Sequence, residues 1–262
     1  MEFLLHIVAG ASVGFAIGLT GVGGGSLMTP LLLVFGYSPP VAIGTDLLYA
    51  AITKAGGALA HHRKGNVDWK IVSILGLGSI PISILLHTFV LNVQFQESAQ
   101  FEELLTFSLG IMLIVTSIIL ILRDKMRKNA IEEKPKLFMP AIHRHRTLVT
   151  FLIGLILGFC VTVSSVGAGA FGAAILLTIY SQITAVRVIG TDLAHAVPLT
   201  FIAGVGYLFA GYVDLLLLFG LIVGSLPAIH IGTRLSSQIP DRVLVQVLTV
   251  ILLSLGVYYS FF

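Results

Sequence analysis

Between Phe3 and Thr45 the chain carries no Asp, Glu, Lys or Arg, and the same holds from Thr147 to Val186. Runs of 43 and 40 residues without a charge are far longer than the roughly 18 apolar residues that already read as a membrane span. Only 10% of the 262 residues are charged and 56% are hydrophobic, where a soluble domain of this size carries about a quarter charged residues. The expected fold class is therefore an all-α, polytopic membrane bundle in contact with the lipid bilayer, since a helix satisfies its own backbone polar groups in lipid. The net charge of +3 does not point to nucleic acid, because Lys and Arg beside spans are normal on the cytoplasmic side of a membrane. The single cysteine, Cys160, excludes a disulfide within the chain. The first apolar segment opens without a basic stretch and outruns the core of a signal peptide, so no cleaved leader is expected.

The second half of the chain echoes the first. Gly44-Thr45-Asp46 recurs as Gly190-Thr191-Asp192, at an offset of 146. At that same offset Gly65-x-Val67-Asp68 recurs as Gly211-x-Val213-Asp214, and Gly78-Ser79-x-Pro81 as Gly224-Ser225-x-Pro227. A glycine break in each half, GVGGG at 21–25 and Gly167-Ala168-Gly169, is offset by 144. Each half divides into four apolar elements, spanning roughly 3–36, 41–60, 71–91 and 104–122, then roughly 147–180, 188–210, 215–233 and 243–262. Residues 1–122 and 147–262 thus form two transmembrane repeats. They are joined by a basic linker, 123–146, with eight Lys/Arg against three acids, which the positive-inside rule places in the cytoplasm.

Four glycines in five positions would ruin a helix placed across 21–25. If each first element were one broken span, Arg187, Arg234 and Arg242 would all lie outside. If each is instead a hairpin that turns at its glycines and returns to its own side, each half has an odd number of crossings and the repeats are inverted. All three arginines then fall inside with Arg63, Lys64 and Lys70. The charge pattern therefore predicts hairpins. Broken helices at matching places in two inverted halves are the strongest pointer to a transporter's binding site that a sequence offers.

The stretch GLTGVGGGSLMTPLLLVFGYSPPVAIGTDLL, repeated more weakly as GFCVTVSSVGAGAFGAAILLTIYSQITAVRVIGTDLA, resembles the sulfite exporter TauE/SafE family of two-half membrane permeases. The resemblance runs over nearly the whole chain. It implies movement of small sulfur-containing anions, such as sulfite or an organosulfonate, across the inner (cytoplasmic) membrane. The second half departs from the pattern, with Ala168 in place of Gly24 and no counterpart of Pro30.

An anion inside a membrane needs donors to replace its hydration, and a glycine turn followed by a helix presents backbone N–H groups. Gly23, Gly24, Gly25, Ser26 and Thr29 on one side are expected to face Gly167 and Gly169 on the other, with Ser164 and Ser165 adding hydroxyls. Thr45 and Thr191 are expected to add further substrate contacts. Lys54 sits about three turns into an apolar element, where an ammonium costs several kcal/mol. It is placed either to complete the charge balance of a divalent substrate or to snorkel toward Arg63. Asp46, Asp192 and His195 are candidates for a coupling proton, against helix capping for the two aspartates and packing for the histidine. Gly14-x-x-x-Gly18, Gly154-x-x-x-Gly158 and Gly220-x-x-x-Gly224 read as close-packing faces.

His61 and His62 lack the further ligands of a metal site, and no cofactor is implied. Gly167-x-Gly169-x-x-Gly172 matches a dinucleotide fingerprint but lacks its strand–turn–helix setting. The reading is a secondary transporter of a small sulfur anion working by alternating access, since no Walker-type motif is present. The alternatives are a passive anion channel, which has no use for paired acids, and an intramembrane enzyme, for which neither Gly-x-Ser-x-Gly nor His-Glu-x-x-His is found. The substrate, the direction of transport, the coupling ion and the oligomeric state stay open.

Overall fold

The computed structural model describes residues 2–20, 27–90, 99–131, 145–167, 169–180, 182–236 and 241–261. Among them lie ten helices and no strand: α1 Glu2–Thr20, α2 Met28–Val34, α3 Pro39–Arg63, α4 Trp69–Val90, α5 Ala99–Ile131, α6 Arg146–Ser164, α7 Ala170–Ile179, α8 Ala185–Phe209, α9 Leu215–Ser236 and α10 Asp241–Phe261. The order is the same twice over: one long helix, one short, then three long. The expected first element of each half is thus two helices with a break between them. The first part of the expected linker, 123–131, continues α5 as helix.

Local chemistry sets the ends. Pro39 and Pro40 open α3, where a fixed φ and a missing N–H cost nothing. Thr184 caps α8 by accepting the Arg187 N–H at 3.4 Å. Gly65 and Gly211, at φ +70° and +80°, turn the chain out of α3 and α8. Three residues later, Asp68 and Asp214 accept the N–H groups of Ile71 (3.3 Å) and Leu217 (2.9 Å) and so start α4 and α9. The repeated Gly-x-Val-Asp motif is therefore a helix stop followed by a helix start.

Helices α4, α5, α6, α8 and α9 are each long and apolar enough to cross a membrane, and the chain is a multi-pass membrane protein. Helix α3 is as long as α8 but carries Asp46, Lys54 and Arg63. It is nonetheless central, with every residue from Ala42 to Ala51 buried.

Both first elements are hairpins. The Tyr37 hydroxyl beyond α2 meets His6 Nε2 near the start of α1 at 2.6 Å. At the equivalent place, Tyr180 beyond α7 meets Thr150 near the start of α6 at 2.8 Å. Each chain therefore returns to the end from which its long arm set out, as the arginine pattern predicts. The Arg187 guanidinium pairs with Asp68 at 3.5 Å, which places Arg187 on the same face as the Arg63–Lys70 loop.

The halves interleave. Helix α1 lies along α9 and α6 along α4, each pair parallel, with glycines at the crossings. A Cβ on Gly14 would stand 2.6 Å from Ser225 Cα, and one on Gly154 would stand 2.5 Å from the Leu75 carbonyl oxygen. These stripes pack backbone on backbone, as expected. Helices α3 and α8 run antiparallel, Leu48 lying against Gly204 and Gly57 against Leu193. So do α5 and α10, with Gly110 at Ser260 and Gly256 at Ile114. Each of these two antiparallel pairs joins one helix from either half.

Candidate functional site

The second break is the better described. Helix α6 ends at Ser164, and Ser165 takes a left-handed conformation at φ +57°. Gly167 and Gly169 follow at +127° and +131°, a backbone that side chains rarely adopt. The Ser164 hydroxyl is used inside this turn. It donates to the Cys160 carbonyl at 2.6 Å and receives the Val166 N–H at 3.2 Å, so it does not serve as the expected free donor. In the first half Gly23, Gly24, Gly25 and Ser26 lie outside the described residues.

The short helix after each break is capped by a carboxylate from the helix that follows. Asp46 Oδ2 accepts the Thr29 N–H at 3.2 Å and the Thr29 hydroxyl at 2.5 Å, at the start of α2. Asp192 accepts the Gly169 N–H at the start of α7, and its Oδ1 would stand 2.2 Å from a Cβ on Gly172. Both aspartates do cap helices, but not their own, because α3 and α8 begin seven residues upstream of them. The Thr29 and Gly169 N–H groups, two of the donors expected to face an anion, are engaged by the protein's own carboxylates.

Thr45 and Thr191 have a structural task. The Thr45 hydroxyl accepts the Asp214 N–H at 3.3 Å, and the Thr191 hydroxyl accepts the Asp68 N–H at 2.9 Å. Gly44 and Gly190 let the carbonyls of Tyr212 and Asn66 come against the same helices. In Gly-Thr-Asp, then, glycine admits the other half's loop, threonine holds its amide, and aspartate caps the half's own broken helix.

Lys54 is only 5% exposed, so it does not snorkel. Its ammonium lies within Coulombic reach of both Asp192 and Asp46, one carboxylate from each half. Ser165, from the second break, sits beside the Asp46 carboxyl, which caps the first. The two hairpins therefore meet around Lys54. Asp46 Oδ1, Asp192 Oδ1, the Ser165 hydroxyl, the Tyr49 hydroxyl and His195 Nδ1 are buried and find no hydrogen-bond partner among the described residues. A buried polar atom without a partner costs about 1–3 kcal/mol, so several in one region mark a place built to meet something polar. His195 is held from its other nitrogen, 2.8 Å from the Ser79 hydroxyl. The sequence reading missed Tyr49. The repeat offset equates it with His195, and Ser225, beside Tyr49, with Ser79. That offset is the signal that finds the pair. Among the described residues no group of three His, Cys, Asp or Glu is placed to hold a metal.

A multi-pass membrane bundle whose two hairpins bring Thr29 and Ser165 to one buried charged cluster has the build of a permease. The chain belongs to the sulfite exporter TauE/SafE family, whose model matches residues 6–259. It is 36% identical over 258 residues to the probable membrane transporter protein YjnA of Bacillus subtilis, covering 95% of this chain and 96% of that one. It is 28% identical to YdhB of the same organism, covering 92% and 93%. It is also 26% identical to the probable membrane transporter protein MJ0441 of Methanocaldococcus jannaschii, covering 98% and 96%. No solved structure gives a significant match. The protein is a membrane transporter and not an enzyme.

Proposed function

We propose that the protein is a secondary transporter that moves a small sulfur-containing anion, such as sulfite or an organosulfonate, out across the inner membrane by alternating access. The observation that carries this reading is Lys54, buried within electrostatic reach of one carboxylate from each half. A buried cation beside unpartnered donors suits an anion, and a site shared by two halves suits rocking of one against the other. Inverted repeats are part of this reading, supported by the antiparallel pairing of α3 with α8 and of α5 with α10. The substrate site comprises Lys54, Ser165, Tyr49 and the backbone at Gly167 and Gly169, with Thr29 at the tip of the first hairpin's return arm. Asp46 and Asp192 serve the coupling proton.

The test is thermal stability of the purified protein with sulfite, thiosulfate, sulfoacetate, taurine, sulfate and a chloride control. A ligand bound only by the folded state raises apparent stability by about 2.7 kcal/mol at a hundred times its Kd. Stabilisation by at least one sulfur anion, absent with chloride, is the expected result. A flat panel would defeat the proposal.

A further inference from the structure

Resting on that reading, we propose that each monovalent anion enters the site together with one proton, taken up by the Asp46/Asp192 pair as a unit. The basis is a count of buried charges. Asp46 is fully buried, Asp192 is 2% exposed and Lys54 is 5% exposed. With all three ionised the cluster carries one net negative charge, so one proton on either carboxyl makes the empty site neutral. A monoanion then restores an uncompensated charge, which costs several kcal/mol in such surroundings. A second proton removes it, leaving two carboxylic acids, one ammonium and one anion. The carboxyl oxygens left without a hydrogen-bond partner among the described residues, Asp46 Oδ1 and Asp192 Oδ1, are where those protons sit. A protonated Oδ1 then donates a hydrogen bond to the anion, where an ionised one would repel it. A dianion would need a third proton that the pair cannot hold, so the site selects monovalent species.

The groups around the pair leave few other places for the proton. Tyr49 and Lys54 stand on α3 and His195 on α8, while α2, α4, α9 and the second break bring the hydroxyls of Thr29, Ser79, Ser225 and Ser165. His87 of α4, packed on α8, is held by the carbonyls of Ser83 and Ala203. The charged residues of α5 and α6 lie toward the ends of those helices, and His230 and Arg234 toward the end of α9. A proton on His195 would create a second buried cation, whereas a proton on a carboxyl discharges an anion already present. Two coupled carboxyls titrate as a pair, so the proton belongs to both.

The probe is methanesulfonate, a monoanion that does not itself titrate. Its binding to the purified, detergent-solubilised full chain is measured across a pH series, and the protons taken up are read with an indicator in weak buffer. The parent is expected to take up one proton per anion bound, with Kd rising about tenfold per pH unit above neutrality of the empty site. Asp46→Asn and Asp192→Asn each leave one titrating carboxyl beside Lys54 and are expected to keep this linkage. The double variant should bind with no uptake and a flat pH profile, and His195→Gln should behave as the parent does. Binding by the parent without proton uptake overturns the inference while leaving the anion site standing. Loss of uptake in His195→Gln, or persistent uptake in the double variant, overturns it as well. Binding of divalent sulfate but not of methanesulfonate does the same. If sulfite, sulfate and methanesulfonate all fail to bind the folded parent, the anion site itself falls, and the inference with it. The parent's stoichiometry alone decides the matter should the double variant not fold.

Discussion

Lys54 shows what one residue decides. The sequence marked it as an ammonium inside an apolar element but left its partners open, because no spacing rule brings Asp192, 138 positions away, within its electrostatic reach. Without Asp46 and Asp192 at the two helix caps, the N-termini of α2 and α7 would supply roughly half a positive charge each and hold a monovalent anion unaided. Those ends are already offset by carboxylates, so Lys54 is the site's remaining positive charge for a monovalent anion. Lys54→Met is therefore expected to weaken its binding at least tenfold, and Lys54→Arg to retain most of it. Isothermal titration with a sulfonate checks this. Equal affinity in Lys54→Met and parent would remove the lysine from the site.

At the scale of elements, the hairpins were legible and their joints were not. Glycine runs inside uncharged stretches have no other economical reading, and the arginines predicted the return to the starting side that His6–Tyr37 and Thr150–Tyr180 record. The Gly-Thr-Asp motif was visible as a repeat, but its task was hidden. A threonine hydroxyl that accepts an amide from the other half leaves no trace in local sequence. That joint is testable by Thr191→Val, which keeps the shape but leaves the Asp68 N–H without its acceptor. A loss of about 1 kcal/mol follows from removing the acceptor of a part-buried donor, measured as a lower unfolding midpoint in denaturant. Thr45→Val should act the same way on Asp214, and unchanged stability in both variants would show that the joint carries no load.

For the whole molecule, the offset of 146 that relates short motifs also relates contacts. Asp68 meets Thr191 as Asp214 meets Thr45, and α1 lies on α9 as α6 lies on α4. Single repeats could not bury these faces alone. The proposed inverted arrangement has three crossings per half besides the hairpin, with both chain ends on the side opposite the linker. A periplasm-active reporter fused after Phe262 should be active, and a cytoplasm-active one silent. The reverse outcome would contradict the inverted arrangement. Counterflow in proteoliposomes tests the central claim most directly, that one buried site serves both faces in turn. Vesicles are loaded with the anion that binds most tightly, and entry of the labelled anion is followed. A carrier speeds label entry when unlabelled anion is inside, and Lys54→Met should abolish that stimulation. Entry that is indifferent to the internal anion, or unchanged in Lys54→Met, would contradict the account.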